Sequence, residues 1–330
     1  MVDKKIVKEV LYGVAIGDAL GVPVEFLYRD EVRKINIQNM EGTDSNFKYG
    51  TRWGDMTPKG SWSDDTAMTL ASVDALCETG YEPSTFMENY LFWLKDGKYS
   101  SLDYAFGLGG CCAKAINNYR FNKDAYNCGC TGERDNGNGA LMRISPVCLA
   151  LLNSNYDMDE KVKILDTLGG ITHAHPISKL ANFIYLLFME KAIETKDKNI
   201  AFNYIINYDY EKYYDIETID KYSDILNKKI LKLKDIEEKR NGYVIDTLEG
   251  VIFSIMNNNN FRDSVLCSIN LGYDTDTLAA ITGSLAAILY GYENIPKEWI
   301  NDLKNKDYLD EMIDRFSNKY CVLKKTKNKL

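Results

Sequence analysis

Two acidic clusters limit what this chain can fold into. Ser63-Asp64-Asp65-Thr66 and Asp274-Thr275-Asp276-Thr277 each stand before a stretch that is apolar or small on nearly every helical face. Ala67, Met68, Leu70, Ala71, Val73, Ala75 and Leu76 follow the first; LAAITGSLAAILY, without a charge, follows the second. A helix that is apolar all round lies inside its domain. Its first turn has free N–H groups and a partial positive charge, and one Asp there is an ordinary cap. Two adjacent Asp residues point in different directions, so both cannot cap. Carboxylates gathered at buried helix starts are costly unless something positive sits among them. A divalent-metal site is therefore the first expectation; the plainer alternative is two capped helices that never meet. Hard oxygen donors, with Ser and Thr hydroxyls interleaved, suit Mg²⁺, Mn²⁺ or Ca²⁺ rather than zinc.

The chain has 330 residues, 45% hydrophobic and 27% charged, which suits a globular protein with a large core. Its net charge of −8 argues against nonspecific nucleic-acid binding, which needs clustered Lys and Arg. The start, MVDKKIVKEV, lacks a signal peptide's apolar core. The longest apolar stretches are about nine residues, well short of the roughly 20 a membrane span needs. A cytoplasmic protein with no membrane partner is expected. Eight cysteines are present, four of them between 111 and 130, but none forms a C-x-x-C pair and no histidine is near them in sequence. That spacing is not that of a zinc knuckle, and reduced thiols are the expectation.

Helical periodicity runs nearly end to end, beginning with Ile6, Val7, Val10, Leu11, Val14 and Ala15 over residues 4–20. Gly and Pro make residues 30–62 read as loop. Ser63 reads as an N-cap for a helix to Thr79. Further helices are expected near 84–95, 104–118, 145–153, 159–168, 177–195, 243–257, 261–270, 276–291 and 296–317, with a turn-rich loop at 120–138 and a solvated Lys-rich end. Residues 196–241, rich in Lys, Asp, Asn and Tyr, read as peripheral, partly amphipathic helices. Without a run of strands or a βαβ rhythm, the expected fold is all-α: one orthogonal multi-helix domain over residues 1–330, with the peripheral, variable segment at about 196–241.

Several motifs together carry a resemblance. Gly17-Asp18-Ala19-Leu20-Gly21 is followed by Pro23 and Glu25; then come GSWSDDT at 60–66, NGNGALMRISP at 136–146, Thr172-His173-Ala174-His175-Pro176, GYVIDTLE at 242–249, residues 271–291 and the tail Ile295-Pro296…Trp299. Their number, order and separation are similar to those of the ADP-ribosylglycohydrolase family, over most of the chain. The resemblance implies an all-α fold with two Mg²⁺ (or Mn²⁺) ions between the helix starts. It implies Ser63, Asp64, Asp65, Asp274, Asp276 and Thr277 as metal ligands, with Glu25 as a ligand or a catalytic contributor. Ser63 stands where many relatives have Thr. The implied reaction is hydrolysis of the glycosidic bond between ADP-ribose and a protein side chain or small ADP-ribosyl derivative. The ribose hydroxyls would face the metals, and Glu25 or Asp65 would assist proton transfer as water attacks.

Asn136-Gly137-Asn138-Gly139 reads as a backbone cradle for the diphosphate, or as a plain turn. Arg143 could meet a phosphate or form a structural salt bridge. His173 and His175 are the chain's two histidines; the resemblance places His173 beside the ligand. Tyr243 and Val244 are candidates for the nucleoside pocket. Two departures stand out. Where many relatives carry Asp-Ile-Gly-Asn-Thr-Thr, this chain has Gly107-Leu108-Gly109-Gly110-Cys111-Cys112, with Asp103 one helical turn away. Tyr273 replaces the usual Gly before Asp274 and could narrow the pocket or stack on a ligand. The missing acidic residue leaves a second reading open, an ADP-ribose-binding protein with lost or altered catalysis. The intact acidic clusters argue against a third, a purely structural protein.

Overall fold

The apolar periodicity resolves into sixteen α-helices in a computed structural model that describes residues 1–45, 50–232, 234, 236 and 242–321. They are α1 (Lys4–Gly21), α2 (Arg29–Ile35), α3 (Asp64–Thr79), α4 (Pro83–Asp96), α5 (Gly110–Asn122), α6 (Ser145–Leu152), α7 (Met158–Gly170) and α8 (Pro176–Thr195). The rest are α9 (Lys198–Ile206), α10 (Ile216–Asp220), α11 (Ser223–Leu226), α12 (Val244–Asn257), α13 (Phe261–Ile269), α14 (Thr275–Tyr290), α15 (Lys297–Asp302) and α16 (Lys306–Tyr320). No strand occurs among the described residues; two isolated bridges, Cys130 to His173 and Gly137 to Tyr243, tie loops together. The fold is all-α, and one continuous core joins side chains from Val2 to Phe316.

The central pair is α1 against α14. A Cβ added at Gly17 would lie 2.0 Å from the Ala279 carbonyl oxygen, and one at Gly21 would lie 2.4 Å from the Asp276 Cα. Only glycine permits that approach. As α1 advances, its contacts step back along α14, so the helices run antiparallel and the C-terminal end of α1 meets the first turn of α14. The Thr275 hydroxyl fixes the junction by donating to the Gly21 carbonyl at 2.8 Å. Helix α3 is buried on almost every face over its first three turns, as its apolar sequence requires.

Three expected elements differ. The reach read as loop contains α2, whose first turn is stabilised when the Tyr28 N–H donates to the Glu31 carboxylate at 2.9 Å. The helix expected over 104–118 begins only at Gly110: Gly107 has φ +90, and residues 107 and 109 line a cavity instead. The last expected helix is two, α15 and α16, separated where Asn305 turns left-handed with φ +49. Within 196–241, the short helices and the turns between them bury Phe202, Ile205, Tyr210, Tyr222 and Ile225. Most of the Lys-rich end and part of that segment lie outside the described residues. No single helix among the described residues is long and apolar enough to cross a membrane.

Candidate active site

Helix α3 is capped from outside its own sequence. Asp18, fully buried on α1, accepts from the Ser63 N–H at 2.9 Å and the Thr66 N–H at 2.9 Å, and from the hydroxyls of both residues. The Ser63 hydroxyl still accepts from the Asp65 N–H, but at 3.5 Å. Asp18 therefore satisfies donors that Asp64 or Asp65 would otherwise cover. At the other start, the Thr277 N–H donates to Asp276 at 2.9 Å, and the Thr277 hydroxyl donates to Asp65 Oδ2 at 3.2 Å. That last bond joins α3 and α14, so the two starts do meet.

Six carboxylates converge here: Asp18, Glu25, Asp64, Asp65, Asp274 and Asp276. All but Asp274 are buried. Carboxylate oxygens of Asp18, Asp65 and Asp276 lie within 4.8 Å of one another, as do those of Glu25, Asp274 and Asp276. No salt bridge reaches any of the six among the described residues. Burial pushes the Asp64 carboxyl up to about 7, helped by the Asp18 and Asp274 charges. Burial likewise raises Asp18 to about 6, despite its hydrogen bonds. Asp65, Asp276 and Glu25 are driven well above the ordinary carboxylate range, by burial first and then by their acidic neighbours. Asp65 Oδ1 and Glu25 Oε2 are buried without a hydrogen-bond partner. Orphaned carboxylate oxygens in an all-acidic cluster fit the donor set of a hard divalent cation.

The cluster opens into a cavity of about 400 Å³, onto which Glu25, Asp64, Asp274, Asp276 and Thr277 face. Ser63 and Asp65 lie beneath it, 2% and 1% exposed. The far wall is the loop 136–139. Its side chains are engaged: Asn136 donates to the Glu133 carbonyl and accepts from the Ser178 hydroxyl, while Asn138 donates to Asp274 at 2.6 Å and Thr247 at 2.9 Å. The Asn138 N–H goes to the Gly242 carbonyl. The N–H groups of Gly137 and Gly139 keep no partner among the described residues, and both glycines line the cavity.

His173 lies on the same wall, 2% exposed. Burial, with the Arg143 charge, holds its imidazole down to about 3, so it is neutral. Arg143 does not reach the cavity and has no acidic partner among the described residues. It is fully buried and donates to the Tyr90 hydroxyl, the Leu168 carbonyl and the Thr172 hydroxyl, so neither role expected for it holds. The Thr172 hydroxyl accepts from Arg143 and also pairs with His173 Nδ1 at 3.0 Å. The other ring nitrogen, Nε2, lies 3.3 Å from the position a Gly137 Cβ would take. His175 only caps α8, accepting from the Ile177 N–H. Tyr243 lines the cavity, but the Val244 side chain is in the core and does not; Val244 contributes its N–H to the Asn136 carbonyl.

Tyr273 and Phe26 form the remaining wall. Both are left-handed, with φ +64 and +68, and two backbone hydrogen bonds lock them: Phe26 N–H to Tyr273 O at 2.6 Å, and Tyr273 N–H to Leu27 O at 2.7 Å. Their rings meet edge to face at 5.7 Å. Strained non-glycine residues of this kind persist where the surroundings over-determine them. Gly107 presses on the acidic cluster: a Cβ there would lie 2.4 Å from Asp64 Oδ1, and its φ is +90. Asp18 and Gly107 are the site residues whose positions sequence reasoning did not anticipate. The signal for Asp18 is a carboxylate in the otherwise apolar or small run Val14-Ala15-Ile16-Gly17-Asp18-Ala19-Leu20.

Known proteins share this architecture. The chain is 32% identical to the ADP-ribosylarginine hydrolase Tri1 of Serratia proteamaculans over 313 residues, covering 93% of this chain and 78% of that protein. It is 26% identical to the ADP-ribosyl-[dinitrogen reductase] glycohydrolase of Rhodospirillum rubrum over 302 residues, covering 89% and 88%. A solved structure described as an ADP-ribosylglycohydrolase-related protein complex superposes with a TM-score of 0.77 at 23% identity, covering 96% and 98% of the two chains, and supports the fold. The ADP-ribosylglycohydrolase family pattern matches residues 3–325. The chain belongs to the ADP-ribosylglycohydrolase family.

Proposed function

We propose that this protein is a metal-dependent hydrolase that cleaves the glycosidic bond between ADP-ribose and a protein side chain. The observation that carries the proposal is the convergence of two acidic helix starts and Glu25 on one cavity, with carboxylate oxygens left unpartnered. Asp64, Asp65, Asp274 and Asp276, with the hydroxyls of Ser63 and Thr277, would hold two Mg²⁺ or Mn²⁺ ions. Asp18 is committed to α3 and serves as their support. When bound, such ions order the ribose hydroxyls and lower the pKa of water at the site.

The chain's own residues then divide the work. Glu25 faces the cavity with Oε2 unpartnered, whereas Asp65 lies beneath the cavity, its Oδ2 accepting from Thr277. Proton transfer therefore falls to Glu25, and Asp65 serves as a ligand. While ionised, Glu25 stabilises oxocarbenium character at the anomeric carbon as that carbon's bond to the side chain breaks; it then takes the proton of the attacking water, and the departing side-chain atom gains that proton. The N–H groups of Gly137 and Gly139 bind diphosphate oxygens, with His173 on the same wall beside them. Tyr243 and Tyr273 offer aromatic faces to the nucleoside and to the leaving group.

The test is incubation with Mg²⁺ and ADP-ribosylated arginine, ADP-ribosylated serine and O-acetyl-ADP-ribose. Release of free ADP-ribose from at least one, reduced about 100-fold or more in Glu25→Gln, supports the hydrolase. Tight ADP-ribose binding with release from none supports a binding protein instead.

A further inference from the structure

Three donors that are far apart in sequence meet at the rim of the cavity. Cys111 lies in the first turn of α5; Cys130 and Asp135 lie in the loop that leads to Asn136. The two sulfurs and a carboxylate oxygen of Asp135 are all within 4.8 Å of one another. We propose that Cys111, Cys130 and Asp135 form a second metal site, for a thiophilic divalent cation of the Zn²⁺ class, separate from the acidic centre. The proposal is independent of the hydrolase reading.

The donor set fits such an ion. Two thiolates and one carboxylate are a known type of zinc ligand combination, and a tetrahedral ion with Zn–S of about 2.3 Å needs sulfurs about 3.8 Å apart. Closing from 4.8 Å takes a shift of about one ångström or less, within reach of a rotamer adjustment. The oxygens of Asp135 are already divided. Oδ2 accepts from the Gly132 N–H at 3.2 Å and lies 3.8 Å from the Lys114 ammonium, while Oδ1 lies 3.9 Å from the Cys111 sulfur. One oxygen is oriented from behind and the other is turned to the thiols, the pattern that fixes a ligating carboxylate.

Cys130 is held as firmly. Its N–H donates to the Thr172 carbonyl at 2.9 Å, and its carbonyl accepts from the Ala174 N–H at 2.7 Å. The sulfur is 3% exposed as part of its residue and sits 3.7 Å from the Cys111 carbonyl. Charge also balances: two thiolates, one carboxylate and Lys114 sum to −2, which a divalent ion neutralises. Cys111 lines the cavity, so a fourth coordination position opens towards it. An ion here ties α5 to the loop that carries Gly137 and Gly139.

The acidic centre prefers hard ions in oxygen coordination, whereas this site supplies sulfur. Cobalt(II) separates them, because only thiolate ligation gives an intense sulfur-to-cobalt charge-transfer band in the near ultraviolet. The metal-free full chain, kept reduced with a phosphine, is titrated with Co²⁺ in excess Mg²⁺. The expected result is that band, saturating at one equivalent and displaced by Zn²⁺. It is lost in Cys111→Ser and in Cys130→Ser, weakened about tenfold or more in affinity in Asp135→Asn, and kept in Asp65→Ala and Cys267→Ser. Cys111 is half-buried, so its variant decides if the Cys130 variant does not fold. No band at excess Co²⁺, or a band unchanged in Cys111→Ser, overturns the proposal.

Discussion

Asp18 caps a helix that begins 46 positions later than itself, accepting from the Thr66 N–H at 2.9 Å and from the Thr66 hydroxyl at 2.6 Å. This bond lets α3 present two aspartates that are not spent on its own terminus. Asp18→Asn turns an amide NH₂ towards donors and leaves one of them unpaired in the core. The expected cost is about 1–3 kcal/mol of stability, with Mg²⁺ affinity lowered about tenfold or more as Ser63 and Asp65 lose their aim. Denaturant unfolding and calorimetric Mg²⁺ titration of the variant check both effects.

Gly107 is required where it stands. Its φ of +90 and the 2.4 Å approach of a Cβ to Asp64 Oδ1 leave no room for a side chain. Gly107→Asp, which restores an acidic residue of the kind many relatives carry nearby, is expected to abolish metal-dependent activity rather than improve it. Gly107→Ala should lower kcat/KM about tenfold or more, with circular dichroism still helical. An active Gly107→Asp variant would show that this backbone does not constrain Asp64.

Metal removal should be felt more at neutral than at acid pH. Burial first, then mutual repulsion, raises Asp64 to about 7 and burial raises Asp18 to about 6, above their unfolded values near 4. Without metal, the folded state binds more protons than the unfolded state between about pH 4 and 7, so stability falls as pH rises through that window. A bound cation removes the penalty. The rise in Tm on adding Mg²⁺ to chelator-treated protein is expected to grow from pH 5 to pH 7.5; a rise that shrinks would contradict the assignment.

His173 contributes the opposite slope. Burial and Arg143 hold it down to about 3, below the unfolded value of about 6.5. Between those values the unfolded state binds the extra proton. Stability from a neutral His173 is present above about pH 6.5 and is lost below it, by up to about 1.4 kcal/mol per pH unit. In Mg²⁺-saturated protein, the difference in unfolding free energy between wild type and His173→Gln should narrow as pH falls from 6.5 to 5. Its imidazole NMR signals should not titrate across that range.

Much of this molecule was legible because long apolar periods name helices, and charges at the starts of such helices name a cost that needs a cation. Residues 63–66 and 274–277 were readable for that reason. What escaped depends on which surfaces meet. Asp18 acts only because α1 lies against α3. The role of Arg143 follows from its burial beneath Leu168 and Thr172, 25 and 29 positions away. Val244 adjoins a cavity residue but faces the core, a choice that helix rotation makes. Cys111 and Cys130 are grouped in sequence but lack the spacing of a zinc knuckle, and their meeting depends on an irregular loop, which has no period to read.

The most direct test of the central claim, that the two acidic helix starts form one metal centre, is Mn²⁺ titration of the metal-free protein followed by electron paramagnetic resonance. The account predicts two ions per chain with the exchange-coupled signal of a dinuclear site. It predicts loss of that coupling in both Asp65→Ala and Asp276→Ala, one variant from each helix. Two uncoupled ions, or coupling that survives either substitution, would contradict it.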